Sequence, residues 1–349
     1  MAYFAATVGV VSKVQVSGIS DDFTPWGTVV TETGHTEAGF FRYVGGITDQ
    51  VFFAAGSGAN DDVDIYISFN EEATTFFVDT TISGQRSFPS AAATNVFDFN
   101  YELFIGSSPP SDSPQIWRRT SFSVWSNVHS FGSDRREILA LKRFNGFLYA
   151  AVSGVLFGND AEIWKTSNGT TWSLVTSFPG FIHITALEVY NGDLYTAIWV
   201  AAYEGAASDA REIWSTVGGS DATWVQAYAI PTSGSPLNTY VTTQMTVHIG
   251  KNRLFVGTGQ ETAGGPIYPE VYTFDGVAWS ESISFAEDVV NDANGSPVSL
   301  DTRNTVTALG YDPAFDRVYA ATGSFAAPQF GGVRIYTWPT PNLIDMGGG

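Results

Sequence analysis

Apolar and polar positions alternate in short runs along most of the chain, the period of a strand with one buried face. The stretch 138–178 shows it best, with runs at 138–144, 148–152, 162–166 and 172–176 separated by Asn145-Gly146, a Gly-containing loop, and Asn168-Gly169. Asn-Gly between two such runs predicts a hairpin, because both residues tolerate the positive φ of a type I′ turn. Four strands joined in this way form one antiparallel sheet. Alone it would leave an apolar face wet, so it must stack on similar units.

The unit recurs. An apolar-aromatic pair opens a third strand at Ile65-Tyr66, Ile116-Trp117, Ile163-Trp164, Ile213-Trp214, Val271-Tyr272 and Ile335-Tyr336. Ahead of each lies a second-strand pair: Val51-Phe52, Leu103-Phe104, Leu148-Tyr149, Leu194-Tyr195, Leu254-Phe255 and Val318-Tyr319. The third-strand aromatics are 51, 47, 50, 58 and 64 residues apart, near the roughly 40 to 50 residues of a propeller blade. Phe76, Trp125, Trp172, Trp224 and Trp279 mark fourth strands, and the sixth unit has no such marker. Residues 24–30, Thr-Pro-Trp-Gly-Thr-Val-Val, read like that missing strand.

The pattern therefore predicts an all-β chain, a six-bladed β-propeller of four-stranded antiparallel blades, closed by an N-terminal strand. The blades are expected near 36–82, 93–131, 138–178, 184–230, 241–285 and 304–338, with 24–30 as the closing strand. These make up a propeller domain over 21–339, flanked by an N-terminal arm at 1–20 and a tail at 340–349. In the arm, Val8, Val10, Val14 and Val16 share one parity and are expected to contact either the propeller or a neighbouring molecule.

Charge and composition narrow the function. A net charge of −19, from 35 acidic against 16 basic residues, disfavours nucleic acid and anionic membranes as partners. No apolar run is long enough to span a bilayer as a helix, and the opening stretch lacks the basic n-region of a secretory signal. With no Cys among 349 residues, disulfides, Cys-ligated zinc and a thiol nucleophile are excluded.

Candidate chemistry sits at the start of the third strands. The residues before the apolar-aromatic pairs are Asp64, Gln115, Glu162, Glu212, Glu270 and Arg334. The acidic ones, Asp64, Glu162, Glu212 and Glu270, are expected to form a polar rim, either as solvated strand starts paired with Arg118 or Arg211 or as a ligand site. The loops between second and third strands carry Phe157, Trp199, Tyr203, Tyr268, Phe325 and Phe330, aromatic faces suited to sugar rings or a protein partner. Asp61, Asp62 and Asp64 cluster, but the reading preferred here is an Asp-rich turn, with no metal or other cofactor. The histidines His35, His129, His183 and His248 share no ligand spacing, and no catalytic signature is present.

At Thr166-Ser167-Asn168-Gly169-Thr170-Thr171-Trp172 the chain resembles the Asp-box turn of sialidase-like propellers, Ser-x-Asp-x-Gly-x-x-Trp in its usual form. Asn168 stands in the Asp position and the spacing to Trp172 is shortened. Echoes occur at 219–224 and 274–279. The resemblance implies architecture, a hairpin between third and fourth strands, and not sialidase activity, since the Arg-Ile-Pro of that family is missing. In composition the chain is similar to phage and virus structural or adhesion proteins. That similarity implies a non-enzymatic virion component on a head or tail, assembled in the host cytoplasm and docking other virion proteins or a host-surface glycan. Two alternatives are an extracellular lectin-like glycan-binding module and a glycoside hydrolase or lyase using the rim carboxylates.

Overall fold

The computed structural model describes residues 2–8, 11–17, 27–33, 37–44, 50–57, 62–69, 77–84, 91–94, 103–107, 113–154, 160–199, 211–230, 240–260, 270–284, 305–312, 316–323, 334–338 and 343–345. Every regular element among them is a β-strand. The chain divides into two compact units, Met1–Ile182 and His183–Gly349.

In the first unit, β1 (Ala2–Val8), β2 (Val11–Ser17) and β3 (Gly27–Thr33) form a three-stranded N-terminal sheet. Three four-stranded antiparallel sheets follow. Sheet A is β4 (Glu37–Val44), β5 (Gln50–Ser57), β6 (Asp62–Ser68) and β7 (Phe77–Ile82). Sheet B is β8 (Ala91–Thr94), β9 (Leu103–Gly106), β10 (Gln115–Ser121) and β11 (Val124–Ser130). Sheet C is β12 (Arg135–Phe144), β13 (Phe147–Gly154), β14 (Ala161–Thr166) and β15 (Ser173–Phe178). The first strands lie side by side in order, β1 by β4, β4 by β8 and β8 by β12.

The second unit repeats the plan. Sheet D is β16 (His183–Tyr190), β17 (Asp193–Trp199), β18 (Arg211–Val217) and β19 (Ser220–Ala229). Sheet E is β20 (Tyr240–His248), β21 (Arg253–Gln260), β22 (Glu270–Phe274) and β23 (Trp279–Ser284); sheet F is β24 (Thr305–Asp312), β25 (Arg317–Gly323), β26 (Arg334–Trp338) and β27 (Leu343–Asp345). A single pairing, Gly259 with Thr305, joins E to F.

One expectation is corrected. The fourth strand of sheet F is the C-terminal β27, paired with β26, while residues 27–33 pair with β2. A Trp-Gly-Thr-Val run carries no information about its partner, and pairing with a strand ten residues away closes a far shorter loop than pairing with the other end of the chain. The segment expected as an arm forms a hairpin, with Val8 opposite Val11 and Val14 opposite Ala5, and its β1 lies beside β4; Val14 and Val16 lie in β2, and Val10 lies outside the described residues. The N-terminal sheet lacks the apolar-aromatic pairs, which is why the sequence count stopped at six units.

The apolar-aromatic pair marks a definite structural feature. Between its two residues the ladder to the fourth strand slips by one in sheets A to E, at Ile65/Tyr66, Ile116/Trp117, Ile163/Trp164, Ile213/Trp214 and Val271/Tyr272. Each slip is a β-bulge, which bends the strand and re-aims the extra residue. The extra residue is Asp79, Val128, Val175, Ala227 and Ser282 in turn, read from those registers. Val128 packs on the cluster of Phe104, Ile116, Ile138 and Leu148 between sheets B and C. Ala227 packs on that of Ile213, Met245, Leu254 and Val256 between D and E.

Turns show how local chemistry sets the hairpins. Asn145 and Gly146 have φ of 47° and 79°, and Asn191 and Gly192 of 50° and 81°, the type I′ pattern expected between first and second strands. The Asn168-Gly169 turn differs, because Gly169 has positive φ but Asn168 does not. Asn168 Oδ1 instead accepts from the backbone N–H groups of Thr170 and Thr171, both at 2.9 Å, and Thr166 Oγ1 accepts from Gly169 N at 3.0 Å. An Asx turn of this kind satisfies the loop amides without a left-handed residue at its head. Asp275 does the same for Val277 and Ala278, at 2.9 Å each.

Candidate functional site

The residue that opens each third strand and the aromatic two positions on lie on one face, because side chains alternate along a strand. In sheet C, Trp164 Nε1 donates to Glu162 Oε2 at 2.8 Å. In sheet D, Trp214 Nε1 donates to Glu212 Oε2 at 2.8 Å. In sheet E, Tyr272 Oη donates to Glu270 Oε2 at 2.8 Å. The carboxylate thus fixes the orientation of the ring beside it, three times over.

Sheet C carries the most elaborate version. Arg135, at the start of the first strand, grips Glu162 with a guanidinium fork, Nη2 on Oε1 and Nε on Oε2, the latter at 3.0 Å. The side chains are 14% and 9% exposed, so the pair is reachable from solvent at one edge. Asp134 lies 3.5 Å from Arg135 Nη1 and shares its charge. A forked carboxylate and guanidinium beside an indole present hydrogen-bond acceptors and donors together with a flat apolar ring.

A ring cluster lies alongside. His129 meets Phe131 edge-on at 4.6 Å, and its ring centre is 6.0 Å from those of Trp164 and Trp172. Burial holds the His129 imidazole below its ordinary value of 6.5. The indole N–H groups of Trp117 and Trp172 are buried and find no hydrogen-bond partner among the described residues.

Asp64 stands at the matching position of sheet A and accepts from Thr81 Oγ1. Asp62 accepts from the backbone N–H of Gly84 at 3.3 Å. Asp61 lies outside the described residues, and among those described no three acidic or histidine side chains gather as a metal site. The partners shown for Asp64, Glu162, Glu212 and Glu270 belong to each residue's own sheet. Arg135 went unnoticed in the sequence, where Arg118 and Arg211 were the expected partners; its only signal was its place at the head of a first strand. Trp199, expected on a loop, ends β17 opposite His183 and Arg211. Phe157, Tyr203, Tyr268, Phe325 and Phe330 lie outside the described residues.

No family model and no curated protein matches the chain in sequence. Solved structures match it over nearly all its length. The BP39L lectin from Burkholderia pseudomallei superposes with a TM-score of 0.64 at 12% identity, covering 98% of this chain and 93% of that one. Penicillium chrysogenum α-L-arabinanase, solved with arabinobiose, gives 0.54 at 11% over 99% of each chain. The β-propeller domain of the Trilobed protease from Pyrococcus furiosus, which has an open velcro topology, gives 0.50 at 9%, covering 98% and 96%. At such identities the likeness shows the fold alone, and the fold is a β-propeller.

Proposed function

We propose that this chain is a non-enzymatic, carbohydrate-binding propeller whose blades are the four-stranded sheets A to F, with the N-terminal sheet a further, three-stranded member beside sheet A. The observation that carries the reading is the carboxylate-indole pair repeated at Glu162/Trp164 and Glu212/Trp214, whose indoles are half-buried; Tyr272, the ring beside Glu270, is instead packed in the core. Sugars are bound by planar hydrogen-bonding groups for their hydroxyls and by aromatic faces for their C–H surface. One weak site repeated on several blades gives avidity to a multivalent glycan. The likeness to a lectin and to an arabinanase supports the same ligand class. Each carboxylate accepts a hydrogen bond from its own ring, which holds both groups in one orientation for a ligand.

A glycan array, followed by titration of the best ligand, tests the proposal. Binding to at least one glycan class is expected, weakened about tenfold by Glu162→Gln or Glu212→Gln, since each lost charged hydrogen bond is worth roughly 1.5–3 kcal/mol. An array blank across all classes would sink the reading, as would release of sugar from a bound polysaccharide.

A further inference from the structure

At the Glu162/Trp164 pair of sheet C the cation is committed and carboxylates are in excess. Arg135 Nη2 and Nε donate to the two oxygens of Glu162. Its remaining nitrogen, Nη1, lies 3.5 Å from the backbone oxygens of Asp134 and Asp160 and 3.5 Å from the Asp134 carboxylate. Trp164 Nε1 is also given to Glu162. Every nitrogen of the fork therefore faces an oxygen of the protein, which leaves it poorly placed to take a second carboxylate.

The charge around the fork is negative. The two segments that build it, 134–137 and 160–162, carry Asp134, Glu137, Asp160 and Glu162 against Arg135 and Arg136, four carboxylates to two guanidiniums, or −2. The Asp134 side chain is 54% exposed, so its charge is felt in the solvent a ligand must cross. His129, whose ring faces Trp164, adds no positive charge at neutral pH, because burial holds its imidazole below 6.5. In sheet B, Arg119 is paired with Asp79, and Arg118 lies over the Phe104 ring, three residues or roughly 10 Å along β10 from its start. The connection from β13 to β14 includes Val-Leu-Phe-Gly-Asn at 155–159, without charge, and that from β9 to β10, 107–114, has Asp112 as its one charged residue. Neither connection reverses the sign, wherever its side chains lie.

We propose that this site selects uncharged glycans and rejects acidic ones, whether the acid is a uronate, a sialate or a sulfate. The assignment rests on the carbohydrate reading above and deepens it to a ligand class. A sugar hydroxyl donates to a carboxylate, whereas an ionised acid brings acceptors alone. An acidic sugar thus meets a guanidinium that is already forked and a surplus of like charge. A neutral one keeps both the hydroxyl donors and the contact with the Trp164 ring. Discrimination of this kind comes from the repulsive element as much as from the attractive one.

Titration of the full chain tests it, with neutral glycans and the same glycans carrying a uronic acid, a sialic acid or a sulfate. Each acidic form is expected to bind at least about tenfold more weakly at low salt, since the surplus charge acts over only a few ångströms. The gap narrows several-fold between about 0.05 and 0.5 M NaCl, as screening removes the repulsion. Glu162→Gln is expected to weaken the neutral form about tenfold and the acidic form less, so the preference falls; the salt series on the wild type gives the same reading without a variant. An acidic form that binds as tightly as its neutral counterpart overturns the assignment and leaves the carbohydrate reading standing. So does a gap that salt leaves unchanged, or a preference that survives Glu162→Gln intact. Binding of neither form overturns both.

Discussion

The join between sheets A and B and the join between sheets B and C use the same bulge position for opposite chemistry. In the first, the extra residue is Asp79, whose carboxylate and the Arg119 guanidinium both have side-chain exposure of 0%. In the second it is Val128, packed on Phe104, Ile116 and Ile138. The backbone geometry is common to both, so the difference lies in what the neighbouring sheet offers. Arg119, Trp125 and Ser123 supply five hydrogen-bond donors around Asp79. Around Val128 there is hydrocarbon and aromatic surface. A bulge fixes where a side chain is sent; the receiving sheet fixes which residue is tolerated there. Buried charge of this kind adds specificity more readily than net stability, because desolvation offsets most of the attraction.

Removing one partner from the polar join is expected to have the largest effect. Arg119→Met leaves a carboxylate buried without its counter-ion and should lower stability by about 3–5 kcal/mol, read from urea unfolding. Asp79→Val combined with Arg119→Met converts this join to the chemistry of the other and should regain most of that loss. If the double variant is no better than the single one, the two joins are not interchangeable. Next comes Trp125→Phe, which keeps the ring and removes one donor from Asp79, with an expected loss of about 2 kcal/mol.

The reverse experiment is smaller. Val128→Asp introduces a carboxylate into the apolar join without a guanidinium to meet it; since Val128 is only partly buried, the expected loss is about 1–3 kcal/mol. The smallest effect is a matter of pH. His129 borders the B–C join, and burial lowers its pKa from 6.5. A base whose folded value is depressed binds its proton more readily when unfolded, so its contribution is fully present above pH 6.5 and is lost as pH falls below it. Thermal melts between pH 7.5 and 5 should show that loss in the wild type and less of it in His129→Phe. In sheet E, the backbone N–H groups of Ala278 and Val277 hold Asp275 below its ordinary 3.8. That contribution is present above pH 3.8 and is lost only as the solution becomes more acidic, so the two acid responses separate along the pH axis.

Much of the local structure was legible in the sequence. Alternation with Asn-Gly punctuation marked the first hairpin of sheet C, where Asn145 takes the left-handed conformation, as Asn191 does at the matching turn of sheet D. The same dipeptide at 168–169 also joins a hairpin, β14 to β15, but through an Asx turn in place of type I′, because Thr166 and Thr170 give Asn168 side-chain partners. Among site residues, the spacing of Glu162 and Trp164 placed them on one face, but nothing in the pattern brought Arg135 to Glu162. The two are 27 residues apart and meet only because β12 and β14 flank β13 in one sheet.

The sequence by itself determined which residues are strands, that successive strands pair through tight turns, and which of their faces are apolar, because all three depend on neighbours a few positions away. Tertiary structure decided everything for which the competing partners are distant. It paired residues 27–33 with β2 and gave β26 the C-terminal β27 instead. It also brought Asp79 to Arg119 across 40 residues. Alternation records only which face is buried; which other sheet buries it is settled by loop closure, bulge geometry and the donors waiting on the opposing surface.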